Sequence, residues 1–147
     1  FRSAAAVLAP GDAFLVGVDL VKDPARLHAA YNDAAGVTAE FNLNILRVLN
    51  QRLGADFDPG DFEHRAFYDP QRQWIEMRLR ARRPVTAHLP AAGVSLSLAQ
   101  GDEVRTELSC KYTRESLESR VEGSGLVLER WITDAEGLFA SALLRRR

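Results

Sequence analysis

Ala13-Phe14-Leu15-Val16-Gly17-Val18-Asp19-Leu20 is the stretch whose reading decides the fold. It is a short apolar run introduced by the turn signal Pro10-Gly11-Asp12, and it carries the β-branched Val16 and Val18. Such a run predicts a strand buried on both faces, the kind found in a parallel sheet, and so an α/β protein. It closes on Asp19. Polar residues at the carboxyl end of a parallel strand line ligand crevices in α/β sheets, but an aspartate there also caps a following turn. The residues alone leave both roles open.

Downstream, Asp23-Pro24 supplies an N-cap with proline at the first helical position, which predicts a short helix to about residue 32. A longer helix is predicted over 38–53, with Phe41, Ile45, Val48 and Leu49 at helical spacing and Gly54 as its C-cap. The period then changes to two. Strands are expected over 62–68 and 73–82 around the turn Asp69-Pro70, with Ile75, Met77 and Leu79 facing one way and Glu76, Arg78 and Arg80 the other. Further strands over 94–98 and 104–111 complete an antiparallel sheet with one solvated face. Thr113 then caps a helix to about 122, Gly123-Ser124-Gly125 closes it, and strands over 126–132 and 139–144 form a final hairpin around Asp134-Ala135-Glu136-Gly137.

The chain has 147 residues, 46% hydrophobic and 27% charged, a globular composition neither disordered nor membrane-spanning. Lys+Arg 19 against Asp+Glu 20 gives a net charge of -1, which argues against an electrostatic nucleic-acid binder. The only lysines are Lys22 and Lys111. The single cysteine, Cys110, excludes an intrachain disulfide and a multi-thiolate metal site. His28, His64 and His88 lack ligand spacing, so no metal is expected. The chain opens on Phe1, and its only methionine is the internal Met77; a piece of a longer polypeptide is the expectation.

Little of the sequence carries chemistry. Gly123-Ser124-Gly125 lacks the third glycine of a nucleotide fingerprint and precedes a strand instead of following one. The informative pattern is Arg105-Thr106-Glu107-Leu108-Ser109. On a strand, Glu107 and Ser109 share a face, and a carboxylate beside a hydroxyl can accept and donate to a small polar ligand such as an imidazole. The same pattern also suits an ordinary solvated strand face. Met77 is read as a core methionine, Tyr31 as a packing tyrosine, and Trp74 and Trp131 as packing contacts.

Leu15-Val16-Gly17-Val18-Asp19-Leu20-Val21-Lys22, Tyr31-Asn32-Asp33-Ala34-Ala35-Gly36-Val37-Thr38-Ala39-Glu40-Phe41-Asn42, Trp74-Ile75-Glu76-Met77 and Arg105-Thr106-Glu107 together resemble the histidine-specific methyltransferases. The resemblance runs in order over essentially the whole chain. It implies an S-adenosylmethionine-dependent enzyme that trimethylates the α-amino group of L-histidine to hercynine, in ergothioneine synthesis. It also implies that Tyr31 holds the substrate carboxylate, that Glu107 and Ser109 grip the imidazole, and that Met77 contacts the ring. No catalytic residue is assigned. Cys110 stands where the family more often has alanine, and a packing change is the expected result.

The implied fold is α/β: the C-terminal part of a Rossmann-like methyltransferase core with an inserted, mainly antiparallel substrate-binding subdomain. Residues 1–58 would be a core segment leading into the subdomain, 59–112 the subdomain sheet, and 113–147 the return to the core. The methyl-donor site, and an asparagine working with Tyr31, would lie before Phe1. The expected partners are therefore L-histidine and the missing N-terminal part, with no nucleic acid and no membrane, in the cytoplasm. Alone, the chain is expected to be inactive. The alternatives are a non-catalytic amino-acid-binding or scaffold protein, and a methyltransferase acting on another amino acid.

Overall fold

Alternation along the last strand builds the first of three apolar cores. Ala140, Ala142 and Leu144 of β8 (Phe139–Arg146) are each 0% exposed, while the residues between them face outward. In the computed structural model, which describes all of Phe1–Arg147, the chain divides into two compact units. The first comprises Phe1–Lys22 and Cys110–Arg147, the second Asp23–Ser109.

In the first unit, β8 lies between β1 (Ala13–Asp19) and β7 (Leu126–Thr133), and both pairings are antiparallel. The predicted parallel, doubly buried strand is therefore corrected. β1 has one ladder partner, its Leu15 is 65% exposed, and its parallel character is limited to a single bridge between Leu20 and Tyr112. An apolar run reports that a strand can be buried, not which neighbour buries it. The β7–β8 hairpin forms as predicted. Asp134 fastens its turn, Oδ1 accepting from the Leu138 and Phe139 amides at 2.7 and 2.8 Å.

The helix α4 runs Arg114–Val121, so α1 to α3 precede it: Arg2–Val7, Pro24–Tyr31 and Val37–Leu53. A reciprocal capping box starts α4, Thr113 Oγ1 accepting from the Ser116 amide and Ser116 Oγ from the Thr113 amide. Leu117 and Val121 then join Val18, Leu126 and the β8 residues in one apolar cluster. The short α1, absent from the sequence reading, adds Ala5 to it.

Asp19 answers the question its position raised. Its carboxylate takes both lysines of the chain, Lys22 at 2.5 Å and Lys111 at 3.0 Å. The Lys111 side chain is fully buried. Burial pushes the Asp19 carboxyl up, but hydrogen bonds from Lys22 and Lys111, reinforced by their charges, hold it below its ordinary value.

The second unit holds a three-stranded sheet, β2 (Phe62–Asp69), β3 (Trp74–Ala81) and β6 (Glu103–Cys110), in the order β2-β3-β6. β4 (Val85–Leu89) and β5 (Val94–Leu98) form a separate antiparallel pair. β4 was not predicted; it is five residues long and bounded by Pro84 and Pro90, and only Val85 and Ala87 are buried. Gly54 closes α3 in the left-handed region at φ 64, as predicted.

Two expectations change here. The buried face of α3 is Asn42 and Leu46, flanked by Leu43 and Leu49, whereas Phe41, Ile45 and Val48 are 63%, 41% and 40% exposed. The two arcs differ by one residue, a rotation of about 100°, and both are largely apolar, so periodicity could not choose between them. On β3, Glu76 is buried as well as Ile75, Met77 and Leu79. Its Oε1 accepts from Arg78 Nε at 2.7 Å, and Arg78 reaches on to Glu103.

The Asp19 cluster yields a stability prediction. Asp19→Asn leaves Lys111 buried without its counter-charge and should cost about 2–3 kcal/mol, less than for a fully buried pair because Asp19 is 36% exposed. Urea denaturation at pH 7 measures this. Because the folded carboxyl value is depressed, the contribution is complete above the ordinary aspartate range and lost as pH falls through the lower folded value. The difference between the wild-type chain and Asp19→Asn should therefore shrink on acidification.

Candidate functional site

Tyr31 is the last residue of α2, and the start of that helix is well determined. Asp23 Oδ1 accepts from the Ala25 amide at 2.8 Å and Pro24 follows it. Leu27, 2% exposed, packs α2 onto Ala66, Ile75 and Met77 of the sheet. This seats Tyr31 so that its hydroxyl donates to Ser109 Oγ at 2.8 Å, joining residues 78 positions apart. The loop after Tyr31 is tied down at both ends. Asn32 Nδ2 donates to the Ala66 carbonyl, and the Asp33 carboxylate accepts from the Val37 and Thr38 amides at 2.9 Å. Those bonds, Thr38's foremost, hold the Asp33 pKa down to about 2.

Met77 is 2% exposed in the apolar cluster against which Tyr31 and Tyr68 pack. It sits as core, close to the tyrosine. Glu107 stands two residues before Ser109 on β6 and is exposed; alternation breaks there, with Glu107 and Leu108 both exposed and Ser109 and Cys110 both half-buried. With Phe41, Asn42, Asn44, Ile45, Val48 and Thr106, Glu107 lines a small cavity of about 150 Å³. Thus Tyr31 bonds Ser109 and packs against the cluster that holds Met77, and Glu107 stands two residues from Ser109 along the strand. A hydroxyl pair near a carboxylate can hold a small ligand with several N–H groups and a carboxylate of its own. The exposure of Glu107 weakens the desolvation that would reject other ligands, since an unpaired group is costly only when buried.

Three residues not singled out by the sequence reading are bonded together beside Tyr31, and two of them, Asn42 and Thr106, also line that cavity. Thr106 Oγ1 is 2.5 Å from Asn42 Oδ1, and Asn42 Nδ2 is 3.0 Å from the Arg78 carbonyl and 2.9 Å from His64 Nδ1. His64 Nε2 is 2.8 Å from the Tyr31 carbonyl. The one available signal was an asparagine set among apolar residues of a helix.

A family model described as histidine-specific methyltransferase, SAM-dependent, matches residues 1–146. The chain belongs to this family. It is 45% identical over 139 residues to a protein of Mycolicibacterium smegmatis named "Histidine N-alpha-methyltransferase", covering 95% of this chain and 43% of that one. The protein of the same name from Mycobacterium tuberculosis is 42% identical over 139 residues with the same coverage. "Ergothioneine biosynthesis protein 1" of Neurospora crassa is 35% identical over 134 residues, 82% of this chain and 13% of that one. The chain therefore spans less than half the length of these curated relatives, and it matches the C-terminal part of the two mycobacterial proteins.

Within this family member, the packing around Tyr31 makes a checkable statement. Met77→Ala should destabilise the second unit by about 2–4 kcal/mol and Met77→Leu by about 1 kcal/mol or less, read by urea denaturation. Tyr31→Phe removes one partly buried hydrogen bond and should cost about 1 kcal/mol in the same measurement.

Proposed function

We propose that this chain is the substrate-holding, C-terminal part of an S-adenosylmethionine-dependent methyltransferase that trimethylates the α-amino group of L-histidine to hercynine, in ergothioneine synthesis. The observation that carries the proposal is the convergence of Tyr31 and Ser109, with Glu107 two residues along the strand, in a member of this family. Tyr31 would hold the amino-acid end through its carboxylate. Glu107 and Ser109 would take the ring N–H groups, and Met77 would back the ring. Only an amine in its neutral form has a lone pair to donate, so the part assigned to these residues is to fix the substrate with that amine presented. Positioning of this kind supplies much of the rate of a two-reactant displacement.

The residues of this chain do not suit the methyl donor. No glycine-rich turn follows a strand and opens a helix, and the carboxylate at the end of β1 is occupied by Lys22 and Lys111. We assign the donor to the upstream part of the protein. In the same reading, the first unit is the end of a Rossmann-like core and the second the substrate subdomain. Val37, Phe41, Ile45 and Val48 form an exposed apolar stripe on α3, and the relatives' greater length supports the upstream part as what covers it. The near-neutral charge and lone cysteine support a cytoplasmic setting. No helix of the chain is long and apolar enough to cross a membrane.

Mass spectrometry of amino acids incubated with the donor tests the proposal. The chain alone should leave histidine unmodified, and the chain joined to its upstream part should yield trimethylated histidine. Turnover of a different amino acid in its place would overturn the substrate assignment. Tight histidine binding by this chain alone, measured by calorimetry and without turnover in the joined protein, would make it a binding module.

A further inference from the structure

We propose that Thr106, Asn42 and His64 form a positioning relay, centred on the buried Asn42, that sets the geometry of the histidine site. The proposal rests on the reading of Tyr31, Glu107 and Ser109 as the substrate-holding residues.

The direction of every bond in the relay follows from valence. The Asn42 side-chain nitrogen can only donate, so one N–H goes to the Arg78 carbonyl and the other to His64 Nδ1. His64 Nδ1 must therefore be the bare nitrogen and Nε2 must carry the proton, which it donates to the Tyr31 carbonyl at 2.8 Å. The remaining Asn42 oxygen accepts from the Thr106 hydroxyl at 2.5 Å. One neutral tautomer of His64 satisfies the chain, and its direction runs unbroken from Thr106 to Tyr31. Asn42 is 3% exposed, so water cannot readily replace a lost partner.

The two ends of the relay are the two halves of the site. Thr106 immediately precedes Glu107 on β6, and its hydroxyl can also reach the Met77 carbonyl at 3.1 Å. Anchoring Thr106 to Asn42 fixes the β6 backbone immediately before Glu107 and three residues before Ser109. At the other end, the Tyr31 carbonyl is one of the last in α2, where helix carbonyls lack intrahelical partners. His64 takes that partner's place. Tyr31 is thereby held twice, by its backbone to His64 and by its hydroxyl to Ser109. A shift at Asn42 would move both halves of the site relative to each other, and small misplacements of this kind weaken binding and slow transfer.

The test compares variants of the full-length protein containing this chain by histidine titration and by KM for histidine and for the methyl donor. Thr106→Val keeps the shape and removes the donor; it should raise the histidine KM about tenfold, the weight of one lost hydrogen bond, and leave the donor KM unchanged. Thr106→Ser should restore the histidine KM to within about threefold of wild type. His64→Gln, which retains an acceptor and a donor, against His64→Leu provides a second comparison with the same expected pattern, should Thr106→Val fold too poorly to assay. Nitrogen NMR should show His64 as the Nε2–H tautomer, and a mixture of tautomers in Thr106→Val. An unchanged histidine KM in both breaking variants, or an equal rise in both substrates' KM, would overturn the relay. Glu107→Gln is the control: if it leaves histidine binding intact, the substrate-site reading itself fails, whereas weakened binding there with none in Thr106→Val defeats the relay alone.

Discussion

The Asn42 amide is 3% exposed, and its two N–H groups and its oxygen must each find a partner inside the protein, since an unpaired polar group there costs on the order of 1–3 kcal/mol. The partners it finds come from three strands, at Arg78, His64 and Thr106, and through His64 from the end of α2. Apolar packing around Leu46 and Leu27 brings these elements near one another but tolerates sliding. A fully engaged amide does not, because each bond has a direction and a narrow range of distance. The face that carries Tyr31, Glu107 and Ser109 inherits its geometry from that constraint.

The first unit is organised by a different polar device. Lys111 is buried to the last atom, and a buried ammonium is tolerated only beside a counter-charge. Asp19 supplies it from the end of β1 while also engaging Lys22, which reaches on to the Leu138 carbonyl. Tyr112, next to Lys111, pairs by its backbone with Asp19 and Val21. The chain leaving β6 is thus locked to the end of β1 by charge and backbone together. In both units a small number of buried polar groups selects one register from several that the apolar residues alone would accept.

On the proposed function, this division of labour suits a chain that would contribute alignment and leave the electrophile to the upstream part. The substrate-holding reading asks for hydrogen-bonding groups held rigidly, with room beside them, and the second unit supplies Tyr31 and Ser109 already in contact and an exposed Glu107. The same proposal accords with the exposure of Glu107 within this chain. A carboxylate reserved for a ligand is best left without an internal partner, and its enclosure can be completed by surfaces outside the chain.

Most elements were legible because their signals are local. Asp23-Pro24, Thr113, Gly54 and the Asp134 turn act through bonds to residues a few positions away, and period-two alternation identified β2, β3, β5 and β6. What failed was everything that needed a neighbour. The pairing of β1 with β8, the choice between the Phe41 and Asn42 arcs of α3, and the burial of Glu76 each depend on which surface arrives from far along the chain. The sequence by itself determined the family and every helix and strand but the short α1 and β4, because capping, turn chemistry and alternation are properties of short segments. Only the tertiary structure decided that Tyr31 meets Ser109 and that Asn42 joins Thr106 to His64, because a hydrogen bond between distant residues exists only once packing has brought them within about 3 Å.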